Sequence, residues 1–311
     1  MKQSSSEQIS TNPLIFDIKR YSINDGPGIR LTIFFKGCNL DCAWCHNPES
    51  KSSQAQKLYS IGKCAMCSAC VNVCENEAIS LTGEGIRTDQ QLCVLCGKCA
   101  EECPTNATEI SGYSKTIDEL LEIIDREKTF FETSNGGITL SGGEPLLHFD
   151  FVVRLLDECK KRGIHTAIDT AGNIPTERLI EIAKRTDLFL FDIKVFDSEA
   201  HKFWTKRNNN LILKNLKVLS NIGARFQIRI PLIEGVNTGE ENIINTAKMI
   251  LELDGSTKRV DLLTYHSNGE RKFEKLGKEL NHHNLKSPSS QRIKEIIDTF
   301  MSYGIEAQIG G

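Results

Sequence analysis

Beyond residue 113 the apolar positions of this 311-residue chain keep switching between two rhythms. Short runs rich in β-branched and aromatic residues read as strands at 137–141, 166–169, 188–193, 225–230 and 260–265. Between and after them, apolar residues recur at helical spacing over 150–162, 176–185, 211–222 and 240–253. An earlier helix opens at Thr116. Glu119 stands three residues on, as in a capping box, and Leu120, Ile123 and Ile124 share one face. Strand character also marks 14–18 and 31–35, and a last helix near 291–301 with a strand at 305–309 should close one edge. Strands alternating with helices of this length imply a parallel sheet with helices outside. Counting the unit that opens with Leu31 gives six βα units, and a closed eight-unit barrel needs more chain. The expected fold is therefore α/β, an open, partial TIM-like barrel of six units. Residues 273–284 are polar with no clean period, and His282 and His283 there read as surface residues.

Composition narrows the class. The chain is 39% hydrophobic and 25% charged with a net charge of -3, as in soluble globular proteins. That slight acidity gives no footprint for nucleic acid or an anionic membrane. No apolar run approaches the ~20 residues of a spanning helix, and residues 1–13 read as a polar tail without a signal-peptide core. A cytoplasmic monomer is expected. Twelve cysteines in such a chain argue for metal ligation over disulfides. Eleven fall between Cys38 and Cys103; Cys159 shares a helix face with Val152, Leu155 and Leu156 and reads as a small buried hydrophobe.

The cysteine spacing carries the chemistry. Cys38, Cys42 and Cys45 form C-x3-C-x2-C, three thiolates that leave one iron of a four-iron cluster open to a small molecule. Cys64, Cys67, Cys70 and Cys74, then Cys93, Cys96, Cys99 and Cys103, repeat the bacterial ferredoxin run, in which the fourth cysteine serves the other cluster. The expected sets are Cys64, Cys67, Cys70 and Cys103, and Cys74, Cys93, Cys96 and Cys99. Paired CxxC motifs also make zinc sites, but zinc does not explain two such four-cysteine runs. Glu75 follows Cys74 where the pattern has proline, which weakens a turn and removes no ligand. An α+β ferredoxin-like insert with two [4Fe-4S] clusters is expected over 57–111, dividing the barrel into 14–56 and 112–311.

Asp25-Gly26-Pro27-Gly28-Ile29-Arg30 would by itself be a turn. Followed at once by Phe35, Gly37, the cysteine triad and Trp44-Cys45-His46, it resembles the signature of the glycyl radical enzyme activating enzymes. These are radical S-adenosylmethionine proteins similar to pyruvate formate-lyase activating enzyme, here of the type with a ferredoxin insert. The resemblance implies that Asp25, Gly26, Pro27, Gly28 and Arg30 lie near the partner's docked glycine loop, and that Trp44 packs beside the adenine, with His46 next to it at the cofactor.

Reactive groups in βα folds sit at the C-terminal ends of strands. Ser141, Gly142, Gly143 and Glu144 could be a glycine turn, but they resemble the GGE motif whose Glu and glycine backbone hold the methionine ammonium. Asp169, Thr170, Asp192, Ile193 and Lys194 stand within apolar runs, unlike a solvated face. Residues two apart on a strand share a face, so a buried Asp192–Lys194 ion pair is an alternative. The resemblance makes these positions contacts to the methionine carboxylate and ribose, and gives Asp169, Thr170 and Asp192 a monovalent cation, Na⁺ or K⁺. It puts Arg229 at the end of the fifth strand against the carboxylate, and His266 after the sixth against the ribose. The family's T-G-x-x-N stretch is replaced here by residues 204–210, which could alter partner contacts.

The implied activity starts from flavodoxin or ferredoxin as electron donor. S-adenosylmethionine is cleaved to methionine and a 5′-deoxyadenosyl radical, which takes a hydrogen atom from a backbone glycine of a glycyl radical enzyme in an anaerobic cytoplasm. The alternatives are a radical S-adenosylmethionine enzyme acting on another peptide or a small molecule, and a pure electron carrier. DGPGIR argues against the first; GGE, DIK and YH argue against the second. The partner, a dehydratase, decarboxylase or C–N/C–S lyase, is not named by these residues.

Overall fold

The computed structural model describes residues 12–254, 258–278 and 284–310. His282, His283 and residues 1–11 of the expected tail lie outside them. In chain order, β1 (Leu14–Ser22) and β2 (Arg30–Phe35) are followed by β3 (Gln56–Tyr59), α1 (Ala69–Asn72), β4 (Ile79–Thr82), β5 (Gly85–Thr88), α2 (Lys98–Glu101) and β6 (Thr108–Ser111). Then come β7 (Tyr113–Ser114), α3 (Ile117–Arg126), α4 (Lys128–Ser134), β8 (Gly137–Gly142), α5 (Phe149–Lys161), β9 (His165–Thr170), α6 (Thr176–Ala183) and β10 (Leu188–Asp192). The chain ends with α7 (Ser198–Thr205), α8 (Asn210–Asn221), β11 (Phe226–Leu232), α9 (Glu240–Leu251), β12 (Arg259–Thr264), α10 (Asn268–Lys275), α11 (Ser290–Ser302) and β13 (Glu306–Ile309).

Nine strands form one sheet in the order β13-β12-β11-β10-β9-β8-β2-β1-β7. From β2 to β13 every neighbouring pair is parallel; only β1 runs against its neighbours. The sheet's two faces divide the labour. On β11, Phe226, Ile228, Ile230 and Leu232 are buried while Gln227, Arg229 and Pro231 alternate with them. The buried set joins Phe189, Phe191, Val260 and Leu262 in a core shared with Leu155 and Leu156 of α5, Leu216 and Leu219 of α8 and Phe300 of α11. Each such side chain contributes roughly 2 kcal/mol by leaving water. The capping box at Thr116 forms as its residues predict: Thr116 N donates to Glu119 Oε2 at 2.7 Å and Glu119 N to Thr116 Oγ1 at 3.2 Å.

Residues 56–111 build two small antiparallel ladders, β3 with β6 and β4 with β5, and a separate apolar cluster of Cys70, Ile79 and Cys99. The two cysteine runs repeat in backbone conformation as well as sequence. Met66 and Leu95, Ser68 and Gly97, and Glu77 and Asn106 all have positive φ, each pair offset by the 29 residues that separate Cys64 from Cys93. Non-glycine residues rarely adopt that conformation, so its recurrence at matched positions shows that the two runs fold as copies of one loop.

Five helices have no counterpart in the apolar periodicity: the one-turn α1 and α2, and α4, α7 and α10. The last enters the polar stretch from 273 onward. It is held by ionic contacts to other elements instead of an apolar stripe, as described below.

Candidate active site

Because β2 and β8 to β12 are parallel, the segments that leave them gather at one edge of the sheet. The cysteine loop follows β2, Gly143 and Glu144 follow β8, Asp169 and Thr170 end β9, Asp192 ends β10, and Tyr265 and His266 follow β12. The loop and the glycines interlock through backbone. Gly143 N donates to Phe35 O and Glu144 N to Gly37 O, both at 2.8 Å, and Gly37 N donates to Ser50 O at 2.7 Å. Glycine is required at 142 and 143. Gly142 has φ +114°, and a Cβ on Gly143 would overlap the Gly37 carbonyl.

Glu144 is buried, and burial pushes its carboxyl up to about 7 against the pull of its hydrogen bonds. Thr170 Oγ1 lies 2.8 Å from both carboxylate oxygens, and Leu146 N and Ala171 N donate to them at 3.2 and 3.1 Å. Asp169 accepts from Ser141 Oγ at 2.7 Å and faces Arg229 Nη1 at 3.5 Å; burial raises its carboxyl to about 6 although Arg229 opposes this.

The ion pair foreseen as an alternative for DIK is present: Lys194 Nζ binds Asp192 Oδ2. Burial works against the Lys194 ammonium, but Asp192 and then Cys42 outweigh it and raise its pKa. The pair leaves Asp192 Oδ1 buried with no hydrogen-bond partner, as are Arg229 Nε and Nη1. Ile193 is part of the buried core, and its N–H donates to Arg229 O at 2.9 Å. Arg229 itself does not end its strand. β11 continues to Leu232, and it is the register, Asp192 opposite Arg229, that brings the guanidinium level with the end of β10.

Cys38, Cys42 and Cys45 are desolvated thiols. Burial pushes Cys38 and Cys42 up to about 12 and raises Cys45, so a metal must supply what water does not if they are to be thiolates. Among the described residues no three His, Cys, Asp or Glu side chains converge as a single-ion site. Three thiols on one loop are a donor set that a four-iron cluster with one open iron would take. Trp44 is buried with Val195, Ile233 and Tyr265 and meets the Trp204 ring at 6.4 Å. His46 approaches Tyr265 and His266 at ring distances of 6.0 and 6.2 Å. Burial, then Lys194, lowers the pKa of the His46 imidazole.

Two features escaped the sequence. Lys272 of α10 reaches Asn47 Oδ1 at 2.7 Å and Glu49 Oε1 at 2.6 Å, while Phe273 lies under Lys51 at 5.0 Å. Thus α10 clamps the segment after the cysteine loop. And the replaced 204–210 stretch still supports the site: Asn209 Nδ2 donates to Val195 O at 3.0 Å and Phe196 O at 2.6 Å, just beyond Lys194. Both rest on single polar residues with no periodic signal.

Arg30 turns inward. It is fully buried, donating to Thr139 Oγ1 at 2.5 Å, to Pro27 O at 3.1 Å and to Ile138 O. Asp25 accepts from Thr32 Oγ1 at 2.7 Å. The loop they hold precedes β2, at the sheet edge opposite the cysteines. Gly26 and Pro27 there border a cavity of about 440 Å³ that is also lined by Leu190, Gln227, Arg229 and Asp261. Arg229 is therefore shared between that cavity and the charged cluster above it.

In the small ladders, one cavity is lined by Cys64, Cys67, Cys70 and Cys103, and a second by Cys74, Cys93, Cys96 and Cys99. Ala78 N donates to Cys74 Sγ at 3.3 Å and Ala107 N to Cys103 Sγ at 3.2 Å, again at matched positions. The thiol of Cys103 is lowered: burial opposes this, but backbone donors at Thr108, Thr105 and Ala107 prevail.

A parallel α/β sheet with cysteines and buried charges at the C-terminal strand ends defines a class, and a sequence model of the radical SAM superfamily matches residues 32–247. The chain is 44% identical over 302 residues to the trans-4-hydroxy-L-proline dehydratase activating enzyme of Clostridioides difficile, covering 96% of this chain and all of that one. It is 41% identical over 274 residues to the choline trimethylamine-lyase activating enzyme of Oleidesulfovibrio alaskensis, covering 86% and 88%. The fold is similar to that of a radical SAM methyltransferase from Sphaerobacter thermophilus, with a TM-score of 0.53 at 12% identity over 97% of this chain and 78% of that one. This chain belongs to the activating enzymes of glycyl radical enzymes, oxidoreductases within the radical SAM superfamily.

Proposed function

We propose that Cys38, Cys42 and Cys45 hold a four-iron cluster with S-adenosylmethionine on its open iron, and that a partner's glycine loop reaches it through the cavity beneath Gly26 and Pro27. When bound, cluster and cofactor supply one electron and a C–S cleavage that yields methionine and the 5′-deoxyadenosyl radical, which takes a hydrogen atom from a backbone glycine of a glycyl radical enzyme. The carrying observation is that Arg229 borders both the charged cluster and that cavity.

The chain's own groups bind, orient and shield. Ser141, Gly142, Gly143 and Glu144 hold the methionine amino end, with Glu144 pre-set by Thr170. Arg229 Nε and Nη1, which make no hydrogen bond, take the carboxylate, since buried donors need acceptors. The free Oδ1 of Asp192 takes a ribose hydroxyl or, with Asp169 and Thr170, a monovalent cation (Na⁺ or K⁺). Ile193 and Lys194 complete that side of the pocket. Trp44, His46 and His266 enclose the nucleoside. Asp25, Gly28 and the buried Arg30 shape the loop over the cavity, Arg30 acting through the Pro27 carbonyl.

The remaining architecture follows. Residues 14–56 and 112–311 form a six-unit partial barrel, and 57–111 a ferredoxin-like insert. Its two cavities support one cluster on Cys64, Cys67, Cys70 and Cys103 and another on Cys74, Cys93, Cys96 and Cys99. A flavodoxin or ferredoxin reduces them. The oxygen sensitivity of a glycyl radical implies an anaerobic cytoplasm, and the enzyme is read as a monomer; among the described residues no helix is long and apolar enough to cross a membrane.

Anaerobic reconstitution tests this. About twelve irons per chain and 5′-deoxyadenosine formation with dithionite are expected. A panel of dehydratase, decarboxylase and lyase glycyl radical enzymes should contain one that acquires a glycyl EPR signal. No 5′-deoxyadenosine together with few irons would sink the reading.

A further inference from the structure

On β3, Lys57 pairs with Ile110 and Tyr59 pairs with Thr108 on β6. Opposed residues, and residues two apart on one strand, share a face of the ladder. Tyr59 and Thr108 line the cavity of Cys64, Cys67, Cys70 and Cys103, whereas Ile110 lines that of Cys74, Cys93, Cys96 and Cys99. Lys57 therefore stands on the face both cavities border, between the two. Its ammonium donates to Thr88 Oγ1 of β5 at 2.9 Å, which fixes it there. Of the nearby lysines, Lys98 pairs with Glu75, and Lys63 and Lys275 with Glu109; Arg87 of β5 is exposed to solvent. Among the described residues Lys57 has no carboxylate partner.

Resting on the two-cluster reading of 57–111, we propose that Lys57 sets the reduction potentials of both insert clusters together. A thiolate-bound cluster that accepts one electron becomes more negative, and the donor protein loses that electron; no proton need move. A fixed cation stabilises the reduced form of each cluster. Because one charge serves both, it raises the two potentials in parallel and leaves the difference between them unchanged.

The test is an EPR-monitored redox titration of the full, cluster-loaded chain and of Lys57→Met, Lys57→Gln and Lys57→Arg. At a fixed potential the reduced-to-oxidised ratio of both insert clusters should fall about tenfold in the Met and Gln variants, 59 mV for one electron. Arg should restore both, and the midpoint of the cluster on Cys38, Cys42 and Cys45 should stay put. Iron content should remain that of the unaltered chain. Two insert signals whose potentials do not move, or of which only one moves, would overturn the role of Lys57. Absence of both insert signals from the unaltered chain would instead overturn the two-cluster reading on which it rests.

Discussion

Gly143→Ala is the sharpest perturbation available, because it acts on the joint between the GGE turn and the cysteine loop. A Cβ there would overlap the Gly37 carbonyl oxygen and lie 2.7 Å from its carbon and 3.0 Å from Ser50 O, against about 3.4 Å for ordinary contact. All three are backbone atoms, so no side chain can swing aside. The two segments must part by roughly 1 Å, at an overpacking cost of about 1–3 kcal/mol. Parting them also stretches the 2.8 Å bonds from Gly143 N to Phe35 O and Glu144 N to Gly37 O, which adds about 1 kcal/mol for each one lost. The sum, about 2–5 kcal/mol, should lower Tm by about 5–15 °C. Because Gly37 precedes Cys38, the variant should also lose its three-cysteine cluster: about four irons fewer per chain and little 5′-deoxyadenosine. Gly62→Ala, where a Cβ meets nothing within 4 Å, is the control and should change neither. Differential scanning calorimetry and iron analysis under anaerobic conditions read both outcomes. A Gly143→Ala protein with unchanged Tm and full iron would refute the packing argument.

Crossed cysteine variants test the insert: Cys64→Ala with Cys103→Ala should lose one cluster's worth of iron, about four, and Cys64→Ala with Cys74→Ala about eight; equal losses would contradict the crossed sets. Glu144 holds its proton in the fold up to about 7, against 4.5 ordinarily. Its contribution to stability is therefore present below pH 4.5 and is lost as pH rises to about 7, at about 1.4 kcal/mol per unit or about 3 kcal/mol in all. Urea midpoints at pH 5 and 7.5 should differ less in Glu144→Gln; an unchanged difference would show that another group carries it. Ala224→Phe fills the cavity lined by Gly26 and Pro27, so it should cut glycyl radical yield at least tenfold while 5′-deoxyadenosine formed without partner stays the same. Equal loss of both signals would remove the cavity from the partner's path.

Patterns that depend only on neighbours along the chain were legible at once. Alternating apolar runs and helical stripes marked β8 to β12 and α5, α6, α8 and α9, since burial on one face imposes a period whatever the partner. The cysteine runs were legible too, because their spacing repeats along the chain itself. Even the Thr116 capping box closes within four residues. What depends on distance in the folded chain was not. Arg229 reaches the site by the register of β11 on β10, so its place relative to the strand end could not be counted from its own strand. Arg30 carries a partner-loop signature yet points into the sheet, because two of its acceptors, Thr139 Oγ1 and Ile138 O, lie on β8, more than a hundred residues on. Helix α10 has no apolar period because Asn47, Glu49 and Lys51 of the cysteine loop hold it. The cysteines, glycines and carboxylates of this enzyme are thus written locally. Which of them face one another, and which cation stands between two cavities, follows only once parallel strands bring distant residues level.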